Sequence, residues 1–119
     1  MANILAIDDD QETLLFVTGV LGKEHAITTA DNWMKASDLL VQHSYDLILL
    51  DIDMPVLSGD KLAEILQRRF ADTPMNIVLF SGLEDDDVQK KAAEIRAKGY
   101  IHKPCPPDLF SLRVRRFLK

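Results

Sequence analysis

Residues 46–51 read DLILLD, four aliphatic side chains in a row with an aspartate at each end. A strand with one wet face alternates apolar and polar residues, whereas a strand covered on both faces reads as a continuous apolar run. The DLILL segment (46–50) is essentially of the second kind and reads as a strand inside a parallel sheet. Working outward, NILAI (3–7), HAITT (25–29), NIVLF (76–80) and YIH (100–102) read as four further strands. The segments between them have helical period instead. Leu62, Ile65, Leu66 and Phe70 fall at i, i+3, i+4 and i+8, and Phe110, Val114, Phe117 and Leu118 at i, i+4, i+7 and i+8. Each set makes one apolar stripe. Helix starts are signalled by Asp10 before QETLL, by Asp31 or Asn32 before WMKAS, and by the acids at 84–87 before VQKKAAEI. Gly99 is expected to close that fourth helix as its C′ residue.

Five strand–helix repeats with short connections imply right-handed crossovers and helices on both sides of the sheet. The fold class is α/β: a doubly wound, five-stranded parallel sheet of order 2-1-3-4-5 with five helices, a three-layer sandwich. A chain of 119 residues suits one domain, taken here as 1–119, and buries about two thirds of its surface at this size. Hydrophobic residues at 47% and charged residues at 28% exclude a disordered composition. No apolar run approaches the roughly 20 residues of a membrane helix, and MANILAIDDD meets acid before any signal-like segment. A cytoplasmic protein is expected. Cys105 is the single cysteine, which rules out an internal disulfide and gives it a structural role. The net charge of −5, with acids grouped at 8–10 and 84–87, argues against direct nucleic-acid binding. Arg113, Arg115, Arg116 and Lys119 suit the C-terminal end of a helix and need no ligand.

In a doubly wound sheet the site lies beyond the carboxyl ends of the strands, where the strand order reverses. Asp8, Asp9 and Asp10 follow the first strand, Asp51 and Asp53 the third, Ser81 and Gly82 the fourth, and Lys103 and Pro104 the fifth. Strands one and three are neighbours at the switch point, so Asp8, Asp9 and Asp51 converge. Carboxylates crowded together repel unless a cation joins them, and a hard divalent ion with oxygen ligands is the fitting partner. Mg2+ is the natural candidate. A carboxylate beside such an ion can attack phosphorus, and phosphoryl transfer depends mainly on placement and charge stabilisation. Lys103 and Ser81 can supply the remaining donors. Taken singly, Asp10 reads as a helix cap, Ser81 with Gly82 as a turn and Lys103 as a surface charge. His25, His43 and His102 lack metal-ligand spacing.

The segments LAIDDD (5–10), LLDIDMPVLSG (49–59), LFSG (79–82) and GYIHKP (99–104), in this order and spacing, resemble the signatures of bacterial two-component response-regulator receiver domains. The resemblance spans nearly the whole chain and implies a flavodoxin-like fold. It implies further that Asp51 is the phosphoacceptor, that Asp9 binds Mg2+ directly and Asp8 largely through water, and that Asp53 offers its backbone carbonyl to the metal. Ser81 would be the hydroxyl switch, Lys103 the phosphoryl-binding cation and Tyr100 the aromatic switch. A cis bond between Lys103 and Pro104 is implied as well. The phosphoryl donor would be a sensor histidine kinase or a histidine phosphotransfer protein. The readout would be the face of the fourth helix, fifth strand and fifth helix, acting on a downstream protein or a fused output domain, with dimerisation through the same face left open. No enzymatic turnover is expected beyond self-phosphorylation and autodephosphorylation at Asp51. Two positions depart from the familiar pattern: Asp53 stands where Asn or Met is usual, and position 83 is Leu, both beside the phosphoryl site and so bearing on phosphoaspartate lifetime. Two alternatives remain at this point. One is a degenerate receiver acting only as a binding module. The other is a haloacid-dehalogenase-like phosphohydrolase, suggested by Asp51-Ile52-Asp53, although that motif should follow the first strand of a longer chain.

Overall fold

The computed structural model describes residues 1–51, 76–82 and 84–118. Five strands, β1 (Asn3–Ile7), β2 (Ala26–Ala30), β3 (Leu47–Leu50), β4 (Ile77–Ser81) and β5 (Gly99–His102), pair in parallel in the order β2-β1-β3-β4-β5. Four helices are described: α1 (Gln11–Leu21), α2 (Trp33–Gln42), α3 (Asp85–Ile95) and α4 (Pro107–Phe117). They correspond to the first, second, fourth and fifth helices expected from the sequence. The third expected helix, across Leu62–Phe70, lies outside the described residues, as do Asp53 and Leu83.

Both faces of the sheet are covered, which explains the unbroken apolar runs. Every residue of β3 and β4 is buried. Because side chains alternate across a strand, the core divides in two. Leu5, Ile7, Ile48, Leu50, Ile77 and Leu79 meet Ala36 and Leu40 of α2 and Val88 and Ala92 of α3 on one face. Ile4, Ala6, Leu47, Leu49, Val78, Phe80 and Ile101 meet Leu14, Val17 and Leu21 of α1 and Phe110 and Val114 of α4 on the other. The rings of Phe16, Phe80 and Phe110 pack together on this second side, Phe80 and Phe110 with centroids 4.9 Å apart.

The helix starts follow local chemistry. Asp10 in extended conformation caps α1, accepting from the Glu12 amide at 3.0 Å and from Thr13 Oγ1 at 3.1 Å. Asn32 caps α2, accepting from the Lys35 amide at 2.9 Å. The expected closure of α3 by Gly99 is corrected by the structure. The helix stops at Arg96, which adopts the left-handed conformation at φ 59° and donates its amide to Ala93. Gly99 instead opens β5, where a Cβ would come within 2.6 Å of the Phe117 ring. The glycine lets the Phe117 ring lie close against the strand, a role that sequence reading does not separate from a helix stop. At the other end of α4, the Phe117 carbonyl accepts from Asn76 Nδ2 at 3.0 Å and from Lys98 Nζ at 2.8 Å, satisfying an oxygen that the helix cannot.

Phe110 is fully buried against two rings. Phe110→Ala is expected to lower unfolding free energy by about 3–5 kcal/mol, the range for deleting a buried aromatic side chain. Urea unfolding checks this, and a loss under about 1 kcal/mol would show that the aromatic cluster does not hold α4 to the sheet.

Candidate functional site

Parallel pairing brings all five strand ends to one edge of the sheet, and the backbone there is fixed one residue beyond β1, β3 and β5. The amide of Asp8 donates to Ala30 at 3.0 Å, that of Asp51 to Ile7 at 3.0 Å and that of Lys103 to Ser81 at 2.8 Å. These bonds continue the ladder, so the side chains also continue the alternation. Asp8 follows Ala6, Asp51 follows Leu49 and Lys103 follows Ile101 at a spacing of two, and all three precursors belong to the face packed by α1 and α4. The three charged side chains therefore project to the same side.

Asp8, Asp9 and Asp51 each offer a carboxylate oxygen, and these oxygens all lie within 4.8 Å of one another. Asp8 and Asp51 are buried while Asp9 is exposed, so the cluster opens to solvent on one side. Lys103 reaches into it: Nζ lies 2.6 Å from Asp8 Oδ2 and 3.8 Å from Asp51 Oδ2. The other oxygen of Asp8 accepts from the Asp10 amide at 2.9 Å. Asp8 thus ties the lysine to the start of α1, and Asp10 turns away as the helix cap. The donor set suits a hard divalent cation, being all carboxylate oxygen with an open side for further ligands.

Ser81 is the last residue of β4, one position earlier than a loop placement would give, and is fully buried. It follows Leu79 on the opposite face, the one shared with Tyr100, whose register partner is Leu79. Tyr100 is half-buried against that core, and its hydroxyl accepts from Gln89 Nε2 of α3 at 3.1 Å. The peptide bond between Lys103 and Pro104 is cis. Beside the acids, a cavity of about 340 Å³ is lined by Thr13, Phe16 and Phe80 on one side and Lys103, Pro104 and Cys105 on the other. Burial pushes the Cys105 thiol above its ordinary value, opposed by the nearby Arg113 guanidinium. No described helix is long and apolar enough to cross a membrane.

Sequence reasoning brought Asp8, Asp9, Asp51, Ser81 and Lys103 to one edge, and the structure places them there. It missed that Lys103 is already engaged by Asp8, an ion pair spanning 95 positions of chain. It also missed the Phe80 ring beneath that lysine. The signal was present in the register: Phe80 pairs with Ile101, so a residue two beyond Ile101 continues along the Phe80 side.

A doubly wound sheet with a carboxylate cluster and a lysine at its switch point defines a class, that of α/β domains with an acidic pocket at the strand ends. Comparison with known proteins gives the family. The chain matches the response regulator receiver domain over residues 4–115 and belongs to that family. It is a receiver domain of two-component response regulators, and a phosphorylation switch is the role that fits the family. It is 30% identical over 117 residues to the transcriptional regulatory protein CusR of Escherichia coli K12, covering 98% of this chain and 51% of that one. It is 27% identical over 116 residues to a probable cyclic di-GMP phosphodiesterase of Vibrio cholerae, covering 98% of this chain and 26% of that one. The chain thus spans about half the length, or less, of these curated relatives. The solved structure of the Vibrio cholerae chemotaxis response regulator CheY4 has the same fold, with a TM-score of 0.89 at 21% identity over 98% of both chains.

Two outcomes follow from this geometry. Lys103→Ala removes the cation between buried carboxylates and is expected to cost roughly 3 kcal/mol in unfolding free energy in the absence of divalent ions, the low end for breaking a buried pair. An unchanged urea midpoint would mean that the pair contributes nothing. A thiol held above its ordinary value carries less thiolate near neutrality, so alkylation of Cys105 at pH 8 should be slower than that of free cysteine, and slower still in Arg113→Ala. Alkylation faster than the free amino acid would contradict this.

Proposed function

We propose that Asp51 is the phosphoacceptor of a phosphorelay switch spanning residues 1–119. The observation that carries this reading is the convergence of Asp8, Asp9 and Asp51 with Lys103 set between two of the carboxylates. Asp51 is a buried carboxylate at the end of the central strand, with a neighbouring cation within 4 Å and an open side toward Asp9. A carboxylate oxygen of Asp51 attacks phosphorus; the new O–P bond forms as the P–N bond of a donor phosphohistidine breaks, and its electron pair returns to the imidazole. The donor is a sensor kinase or a histidine phosphotransfer protein.

Mg2+ would be held by Asp9, by Asp51, by Asp8 largely through water and by the backbone carbonyl of Asp53. When bound it supplies charge neutralisation for the transferring oxygens. The chain's own residues do the rest. Lys103 exchanges its contact with Asp8 for the new phosphoryl oxygens, and the Ser81 hydroxyl donates to the same group. Tyr100 then gives up its bond from Gln89 and turns inward, which repacks the face built from α3, β5 and α4. A downstream protein or an output domain fused to the chain reads that face, and dimerisation across it is one form the readout can take. The two relatives above carry this domain within longer chains, which fits either arrangement. The chain itself acts only on its own aspartate, taking up and losing the phosphoryl group, in the cytoplasm.

Incubation with acetyl phosphate and Mg2+ should give a phosphoryl adduct by mass spectrometry in the wild-type chain and none in Asp51→Asn. Absence of the adduct, or its persistence in the variant, overturns the assignment. Continuous release of phosphate from small phosphate esters would favour a phosphohydrolase instead.

A further inference from the structure

Lys103 has a third neighbour that the chemistry above does not use. Its ammonium lies over the ring of Phe80, with Nζ 5.2 Å from the ring centroid. Phe80 is 4% exposed and sits at the penultimate position of β4, one residue before Ser81. Its ring is wedged against Phe110 and Phe16, at 4.9 and 6.4 Å between centroids. It borders both the recess that contains Asp8 and Asp51 and the adjoining 340 Å³ cavity. The ring is therefore fixed in place beneath a lysine whose ion-pair partners among the described residues are two carboxylates.

We infer that Phe80 is a positioning residue for phosphoryl acceptance, its ring face serving as the platform on which the Lys103 ammonium shifts from Asp8 toward the group arriving on Asp51. The physical argument is one of contrast between the lysine's partners. Asp8 binds the ammonium tightly and in one direction, at 2.6 Å. Left to that contact alone, the lysine would be drawn away from Asp51. An aromatic face attracts a cation through its quadrupole, without a proton to exchange and without one preferred direction in its plane. The cation can move across it and keep the attraction. Such a ring also brings no charge of its own to repel an incoming phosphoryl group, as a third carboxylate would. Leucine at position 80 would fill much of the space and preserve the apolar face while removing the platform.

This inference rests on the phosphoacceptor reading, and the experiment separates the two. The rate of adduct formation from acetyl phosphate and Mg2+ is measured for wild type, Phe80→Leu, Phe80→Met, Phe80→Tyr and Phe110→Leu. In parallel, the ε-methylene proton shifts of Lys103 are read by NMR, since a ring beneath them moves those resonances upfield. Phe80→Leu and Phe80→Met are expected to slow acceptance about three- to tenfold, in keeping with a desolvated cation–π contact. Both should lose the upfield shift. Phe80→Tyr, which keeps the ring, should restore rate and shift together. Phe110→Leu, a comparable loss from the same aromatic cluster without contact to the lysine, should keep the upfield shift and slow acceptance less than Phe80→Leu does. Wild-type rates in the Leu and Met variants, an equal slowing in Phe110→Leu, or a Lys103 shift that survives loss of the ring would each overturn the role given to Phe80. Should one Phe80 variant fail to fold by circular dichroism, the other variant and the tyrosine decide. No adduct on wild type would instead strike the phosphoacceptor reading itself, and a Lys103 shift at the random-coil position would then reject the ring contact as well.

Discussion

Parallel pairing is the constraint on which everything else depends. An antiparallel sheet distributes its strand ends over two edges, whereas five parallel strands deliver all their carboxyl ends to one. The order β2-β1-β3-β4-β5 then sets the first and third strands side by side, and with them Asp8 and Asp51. Covering both faces of such a sheet requires helices on each side, and the continuous apolar strands are the consequence. The site is the edge at which this apolar run gives way to acid after β1 and β3 and to lysine after β5.

A second layer of order comes from the alternation of side chains. Because the ladder bonds extend past the strand ends, the face assignment extends with them. Asp8, Asp51 and Lys103 continue the side packed by α1 and α4, while Ser81 and Tyr100 continue the side packed by α2 and α3. The charged groups and the two groups assigned to switching thus begin on opposite faces of one sheet. Under the proposed function, a charge gained in the acidic pocket is carried to α3 through Ser81 and Tyr100 on that other face.

The strands were legible to within one residue because continuous hydrophobicity, bounded by polar residues, has few other readings. Asp10 was legible as a cap for a similarly local reason, and the second cap was narrowed to Asp31 or Asn32, of which the structure uses Asn32. Gly99 was misread because a glycine that permits a tight backbone and a glycine that admits a ring look alike in sequence, and only the position of Phe117 tells them apart. The Lys103 and Asp8 pair was out of reach for another reason: it depends on side-chain reach across two intervening strands, which no local pattern encodes. The acidic cluster itself could be anticipated, since strand order alone converts distant positions into neighbours.

The two bonds received by the Phe117 carbonyl have a mechanical meaning. Asn76 comes from the start of β4 and Lys98 from the start of β5, so the tail of α4 is pinned to the sheet at the rim farthest from the acids. The other end, near Pro107 and a few residues past Lys103, is seated by Phe110 against the Phe80 ring. The short segment after Lys103 therefore joins the acidic edge of the sheet to a helix that is fastened at its head as well as its foot.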